Sequence, residues 1–185
     1  MKDIVKPGLV LLVVTFVAAL CLGFVHEITK EPIARQLYQA MNASMSAILP
    51  QADTYVEVEY FHPSNYSPIF NVTRGEASGE VVGYIVGASK LGYSGRIDVL
   101  VGLDTEGVIQ GITILRHTET PGLGANAALP VFTDQFVGGY GAMRTTRSAH
   151  PALHEVTIIT ASTITTDSIV DAVNAALDHF EQNLR

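Results

Sequence analysis

Cysteine is almost absent from this chain of 185 residues, which contains a single one, Cys21. Cys21 lies inside an apolar run. One thiol can neither close an internal disulfide bond nor supply the four ligands that an iron–sulfur cluster normally needs. Any redox chemistry therefore has to use another cofactor.

Positive charge is also scarce, since 11 Lys and Arg stand against 18 Asp and Glu and give a formal net charge of -7. A net negative charge disfavours binding to the phosphate backbone of nucleic acid, which argues against nucleic acid as a partner. The six histidines show no HExxH spacing and fall in different predicted elements, so they indicate surface or capping roles and no metal site. The length suits one anchored domain with one functional site.

The longest uncharged stretch lies near the amino terminus. Residues Gly8 to Val25 read GLVLLVVTFVAALCLGFV and contain no charged side chain. With its flanks this stretch reaches the ~20 residues that a spanning helix requires, which predicts a transmembrane helix over residues 8–27. A cleaved signal peptide is the alternative, because Lys2 and Lys6 make a basic start. However, the stretch exceeds the usual ~7–15 apolar residues and no clean Ala-x-Ala site follows.

The flanking charges favour one orientation of this helix. Lys2 and Lys6 crowd the short segment before it, whereas Lys30 and Arg35 on the other side are interleaved with acidic residues. The positive-inside rule then predicts that residues 1–7 are cytoplasmic. The globular part is expected on the extracytoplasmic side of the cytoplasmic membrane.

Beyond the anchor, the apolar spacing predicts an α+β domain. Apolar residues recur at helical spacing from Ile33 to Ile48, which predicts an amphipathic connecting helix over residues 28–50. Residues 51–185 then form the domain, which begins with an irregular stretch, Gln51 to Gly79, holding one or two edge strands. The spacing of apolar residues from Ser168 to Leu184 predicts a C-terminal amphipathic helix.

The middle of the domain predicts an antiparallel sheet flanked by helices. Three Val/Ile-rich segments, EVVGYIVGAS, RIDVLVGLD and VIQGITILRH, are strand candidates. Asp104 to Gly107 supplies the turn between the second and the third. Ala125 to Phe136 suggests a short helix broken by Pro130, and Val156 to Ile159 suggests another strand.

The first segment suited to a planar ligand is LGYSG, Leu91 to Gly95, between two predicted strands. Its two glycines let the backbone approach a flat ring closely and leave Tyr93 free to stack beside Ser94. The alternative is an ordinary loop with a buried tyrosine.

The second segment is HTETPGLG, His117 to Gly124, directly after a predicted strand. Pro121 and Gly122 suit a tight turn that leaves backbone N–H groups available to ligand oxygens or a phosphate. The alternative is a β-turn that leads into a helix. The segment lacks GxGxxG spacing, which argues against NAD as a ligand.

The third segment is TIITASTITTDS, Thr157 to Ser168, in which seven of twelve residues are Ser or Thr. Small hydroxyl residues before a helix cap it, and the free N–H groups at its positive end favour a phosphate. Simple capping by Thr166 or Asp167 is the alternative. A fourth segment, FTDQF at Phe132 to Phe136, has two aromatic residues four positions apart, a spacing that is more typical of a core pair than of a cofactor site.

In this order, GYSG, ETPGLGA, FTDQF and TASTIT resemble the FMN-binding domain that is shared by two membrane complexes, in the G subunit of the Rnf complex and the C subunit of the sodium-pumping NADH:quinone reductase. The resemblance covers the anchor and most residues from about Gly83 onward. In that family a flavin transferase joins FMN, through a phosphoester, to the last Thr of a Ser/Thr-Gly-Ala-Thr motif. Aligned here, that position is Thr163. Ala161 and Ser162 depart from the usual Gly and Ala, Thr157 stands where an acidic residue is common, and Thr160 or Thr165 remains the fallback.

The resemblance also implies a site and a function. The residues implied at the FMN are Thr163 as covalent attachment point, with Ser162, Thr160, Glu119, Thr120, Leu123, Gly124, Tyr93 and Ser94. No catalytic side chain is implied, because the flavin itself carries the electrons. The expected role is electron relay between other subunits of an ion-translocating ferredoxin:NAD oxidoreductase, and the short chain favours the Rnf protein over the quinone-reductase one. A non-redox anchored binding or scaffold domain, and a regulator or soluble reductase built on the same module, are the alternatives.

Overall fold

The computed structural model describes residues 2–58 and 67–185, with side chains from residue 5 onward. The chain divides into two units, Met1–Met41 and Asn42–Arg185. Helix α1, Lys2–Ile48, covers the predicted spanning segment, residues 8–27, and all but the last two residues of the predicted connecting helix, residues 28–50. Pro32 lies inside it. From Val5 onward the helix is long and apolar enough to cross a membrane. Its most apolar stretch is not buried against the rest of the described chain.

An antiparallel meander forms the centre of the second unit, as the Val/Ile-rich segments predict. It comprises β1 (Thr54–Glu57), β2 (Ile69–Ala77), β3 (Glu80–Leu91), β4 (Arg96–Leu103) and β5 (Ile109–Arg116), in that spatial order. The expectation of edge strands before Gly79 is confirmed for β1, which lies at an edge. It is wrong for β2, which has nine residues and lies between β1 and β3. Residues 59–66 of that stretch lie outside the described residues.

Two tight turns fix the register of the meander. Ser78 and Gly79 join β2 to β3 with φ of 53° and 85°, the pair of positive values that a type I′ hairpin turn requires. Between β4 and β5, the Asp104 carboxylate accepts the N–H groups of Glu106 and Val108 at 2.9 and 3.0 Å. The predicted turn at Asp104 is therefore confirmed.

Short elements connect the sheet to the last helix. They are a 3₁₀ turn at Gly124–Ala128, α2 (Pro130–Thr133), a second 3₁₀ turn at Asp134–Phe136, β6 (Arg144–Thr146), β7 (Glu155–Thr157) and α3 (Thr163–Asn183). β6 and β7 form a parallel pair. The strand predicted at Val156 to Ile159 thus ends two residues earlier, at Thr157. Phe132 and Phe136 are buried in the core, as their spacing predicts, and their rings pack edge to face with centroids 5.5 Å apart.

Glu155 ties the start of β7 to its neighbours. Its carboxylate accepts the Ala152 N–H at 3.1 Å and pairs with Arg144 at 2.8 Å. The Ala152 hydrogen bond first, and then the Arg144 guanidinium, lower the pKa of Glu155 below its ordinary value. The start of β7 is thereby held against β6.

α3 begins five residues before the predicted Ser168, at Thr163. The interpretation that Thr166 or Asp167 caps the helix is therefore wrong, because both lie inside it and Ser162 occupies the N-cap position. Thr166 can lie inside the helix because its hydroxyl group has hydrogen-bond partners there. Its Oγ1 donates to the Ser162 carbonyl at 2.9 Å and accepts the Ile159 N–H at 3.1 Å.

The core lies between α3 and one face of the sheet. Ile169, Val173 and Ala176 are fully buried there, with Phe180 1% exposed. Burying a large aliphatic or aromatic side chain contributes about 1.5–3 kcal/mol, so this face anchors the helix firmly. Leu49, just after α1, is also fully buried, against strand positions occupied by glycine.

The turn that enters α3 contains an unusual backbone conformation. Ala161 has φ of 60°, in the left-handed region, and the Ser162 N–H closes the turn on the Ile159 carbonyl at 2.9 Å. A residue with a Cβ pays ~1–2 kcal/mol in that region, whereas glycine adopts it freely. This geometry gives a physical reason for the glycine that the resembled motif usually has at this position.

We expect Ala161→Gly to stabilise the domain by about 0.5–1 kcal/mol, because relief of the left-handed strain exceeds the extra chain entropy of glycine in the unfolded state. The measurement is urea unfolding of the detergent-solubilised chain. Ala128→Gly is the matched control, since Ala128 is exposed in a 3₁₀ turn without positive φ and should lose stability. Equal destabilisation by both changes would contradict the argument.

Candidate functional site

A cleft of about 450 Å³ opens where three segments of the second unit meet. They are the β3–β4 turn, the loop after β5 and the first turn of α3. The lining residues are Tyr93, Glu119, Thr120, Leu123, Gly124, Ala161, Ser162, Thr163, Ile164 and Thr165. The volume lies within the ~300–1,000 Å³ typical of small-molecule sites.

Most of the residues predicted at the cofactor line this one cleft, although they come from three distant parts of the sequence. Two of them do not. Thr160 lies on the far side of Ala161, in a second cleft, and Ser94 contributes its backbone N–H to Glu119. The sequence interpretation missed Ile164 as a lining residue; its position next to Thr163 was the available signal.

Glu119 holds the three segments together. It is 6% exposed, and its Oε1 accepts the Ser94 N–H at 2.9 Å. Its Oε2 accepts the Thr165 hydroxyl at 2.6 Å. His117 Nδ1 accepts the N–H of Glu119 at 3.2 Å, which orients the start of the loop. One carboxylate therefore joins the β3–β4 turn, the loop after β5 and α3.

Two glycines make room for this carboxylate. A Cβ at Gly92 would lie 2.6 Å from Oε1 of Glu119, and a Cβ at Gly124 would lie 2.6 Å from Oε2. A Cβ at Gly124 would also lie 2.8 Å from the Thr165 hydroxyl oxygen. Gly92 of GYSG and Gly124 of PGLG are thus explained by the niche that they form around Glu119.

The amino-terminal end of α3 supplies the donors of the cleft. The first N–H groups of a helix have no intrahelical acceptor, and the helix dipole makes this end positive. Thr163, Ile164 and Thr165 form this first turn, and the Ser162 side chain makes no capping hydrogen bond within the described residues. This end of the helix is therefore suited to an anionic group.

Tyr93 and Leu123 present apolar surface at the mouth of the cleft. Tyr93 is 73% exposed and Leu123 is 42% exposed. The alternative interpretation of LGYSG, a loop with a buried tyrosine, is therefore wrong. Two exposed apolar side chains beside a row of N–H donors suit a ligand with one flat face and one charged end.

A second cleft of about 420 Å³ lies on the other side of Ala161 and Leu123, which line both. Leu129, Val131 and Phe132 make its wall apolar. Gln135 and Thr157 also line it, and the Gln135 side-chain oxygen accepts the Thr157 N–H at 2.8 Å. The two clefts are thus separated by the turn that enters α3.

Two family descriptions match the chain. Residues 92–178 match the FMN-binding domain, and residues 1–48 match the RnfG N-terminal region. The first match contains every residue that lines the first cleft.

Curated relatives match over nearly the whole chain. The G subunit of the Na(+)-translocating ferredoxin:NAD(+) oxidoreductase complex of Acetobacterium woodii is 33% identical, with 99% of this chain and 94% of that protein covered. The G subunit of the ion-translocating oxidoreductase complex of Methanosarcina acetivorans is 30% identical, with 96% and 95% covered. The corresponding protein of the proton-translocating complex of Clostridium ljungdahlii is 26% identical, with 91% and 86% covered.

Two solved structures share the fold. The C subunit of the Na(+)-translocating NADH-quinone reductase of Parabacteroides distasonis has a TM-score of 0.56 at 19% identity, covering 71% of this chain and 77% of that one. NqrC of Shewanella oneidensis has a TM-score of 0.54 at 18% identity, covering 72% and 70%. The expected fold, an antiparallel sheet with flanking helices, is confirmed.

These matches agree with the cleft and with the apolar helix α1. The chain is an FMN-containing electron-transfer protein, anchored to the membrane by a single helix and assembled with other subunits of an oxidoreductase complex. It belongs to the family of G subunits of the ion-translocating Rnf complexes.

Proposed function

We propose that the first cleft holds the FMN and that the FMN phosphate is esterified to the hydroxyl of Thr163. The observation that carries this proposal is the position of Thr163, an exposed residue in the first turn of α3 that lines the cleft. A phosphate joined there lies at the positive end of the helix, beside N–H donors without helical acceptors.

The other two candidate hydroxyls fit less well. Thr160 is exposed but lines the second cleft, beyond the Ala161 turn. Thr165 is 1% exposed, and its hydroxyl already donates to Glu119. Thr163 alone among the three combines exposure with a place in the first cleft.

The remaining lining suits the flat part of FMN. Tyr93 and Leu123 offer apolar faces at the mouth of the cleft, and Thr120 adds a polar side chain at the wall. Bound FMN supplies the electron chemistry. The residues of this chain have the separate tasks of holding the ring, orienting it and limiting its contact with water.

In the complex, this protein would pass electrons between neighbouring redox subunits. The names of the relatives assign oxidation of ferredoxin, reduction of NAD(+) and ion translocation to whole complexes. For this chain we therefore propose electron relay, with no acid, base or nucleophile contributed by the protein.

We further propose that residues 1–7 are cytoplasmic, residues 8–27 span the membrane, residues 28–50 connect, and residues 51–185 bind FMN on the extracytoplasmic side. Lys2 and Lys6 before the apolar stretch support this orientation. A flavin transferase on the same side would attach the FMN.

Substitution of Thr163 tests the attachment site. In the full chain expressed in its native membrane, Thr163→Val should abolish the added mass of FMN less water, because valine keeps the shape and lacks the hydroxyl. Thr163→Ser should keep the adduct in part. The measurement is intact and peptide mass spectrometry over residues 157–167.

Thr160→Val is the matched control and should remain fully modified. An adduct that survives in Thr163→Val would refute the assignment of this residue. Natively expressed wild-type protein without any adduct would remove covalent attachment altogether and favour the non-redox binding domain.

Fluorescence distinguishes the two clefts as the location of the ring. Tyr93 lines only the first cleft and Val131 only the second. Tyr93→Ala should raise the flavin fluorescence of the purified chain at least about twofold, because a stacked aromatic side chain is lost. Val131→Ala should leave the fluorescence unchanged, and the reverse pattern would place the ring in the second cleft.

Cysteine labelling tests the orientation in the membrane. In a Cys21→Ser background, Ser148→Cys should react with a membrane-impermeant maleimide in intact spheroplasts, because Ser148 is exposed in the domain. Lys6→Cys should react only after the membrane is opened. Labelling of Lys6→Cys in intact spheroplasts, with Ser148→Cys protected, would show the opposite orientation.

A further inference from the structure

We propose that Glu119 is a fixed negative charge that lowers the midpoint potential of the flavin. This proposal rests on the proposed function, since it requires FMN in the first cleft. It assigns Glu119 a role beyond joining the three segments that form the cleft.

The charge of Glu119 has no cationic partner within the described part of the chain. Its oxygens accept hydrogen bonds from a backbone N–H and a threonine hydroxyl, both of which are neutral donors. None of the ion pairs among residues 5–58 and 67–185 involves it.

Joining the three segments does not by itself require a charge. A glutamine at position 119 has the same shape, its oxygen can accept the Ser94 N–H, and its amide can donate to the Thr165 hydroxyl oxygen. Burial of an unpaired carboxylate costs more than burial of such an amide. The niche formed by Gly92 and Gly124 nevertheless contains the Glu119 side chain, and the effect of its charge is expected in the cleft that Glu119 lines.

The effect follows from electrostatics. Each electron that the flavin accepts from its donor protein adds one negative charge to the ring, unless a proton from solvent accompanies it. A carboxylate in the wall of a partly enclosed cleft disfavours that added charge more than it would in water. Reduction therefore becomes harder, and the midpoint potential falls.

The experiment is redox titration of the flavin in the purified, flavin-loaded full chain. Glu119→Gln should raise the midpoint potential by about 30 mV or more, which corresponds to tenfold in the two-electron equilibrium. Glu80→Gln is the matched control, because it removes the same charge from an exposed residue at the opposite end of β3. Its potential should equal that of the wild type.

A second variant, Thr165→Val, should shift the midpoint potential of the flavin in the opposite direction. Thr165→Val removes the hydroxyl donor to Oε2 while the carboxylate stays, which leaves its charge less neutralised. The midpoint potential should then fall below that of the wild type. Simple loosening of the cleft would move both variants in the same direction.

The outcomes separate the two proposals. An unchanged or lower potential in flavin-loaded Glu119→Gln overturns the electrostatic role and leaves FMN binding intact. If Glu119→Gln fails to fold or to carry flavin, Thr165→Val decides: a lower potential supports the role, and an unchanged or higher one overturns it. Wild-type protein without flavin means that the proposed function itself has failed.

Discussion

The geometry of the site depends on where the sheet holds the amino-terminal end of α3. The buried face of the helix fixes its axis, and the Ser168 hydroxyl fixes its position along that axis by donating to the Leu91 carbonyl at 2.7 Å. Leu91 ends β3, directly before the turn that carries Tyr93. The same contact therefore places the first turn of α3 beside the turn that carries Tyr93.

Much of the fold could be predicted from local patterns. Three strands of the meander, β3, β4 and β5, are rich in Val and Ile, and Asp104 to Gly107 has the residues of a turn, so these elements could be predicted. β2 could not, because its sequence, IFNVTRGEA, has no such run of Val and Ile. The start of α3 at Thr163 could not be predicted, because the regular spacing of apolar residues in this helix begins only at Ile169. The parallel pair β6–β7 was missed because each strand has only three residues and their pairing depends on distant packing.

The site was predictable in composition and less so in geometry. The motifs identified Tyr93, Glu119 and Thr163, which line one cleft. The direction in which Thr160 faces depends on the left-handed conformation of Ala161, which no local pattern indicates for an alanine. The burial of Glu119 could not be foreseen either, because it depends on glycines in two segments that meet only in the folded domain.

The hydrogen bonds of Glu119 also bear on the order in which the domain assembles. They connect residues 25 and 46 positions apart in the sequence. Contacts that close such long loops are entropically costly and form late, after local hairpins. The cleft is therefore completed only when α3, the last element of the chain, has docked on the sheet. The complete cleft is thus present only in the folded domain. In a chain that has not finished folding, the threonines of α3 would be exposed without the β3–β4 turn and the loop after β5 beside them.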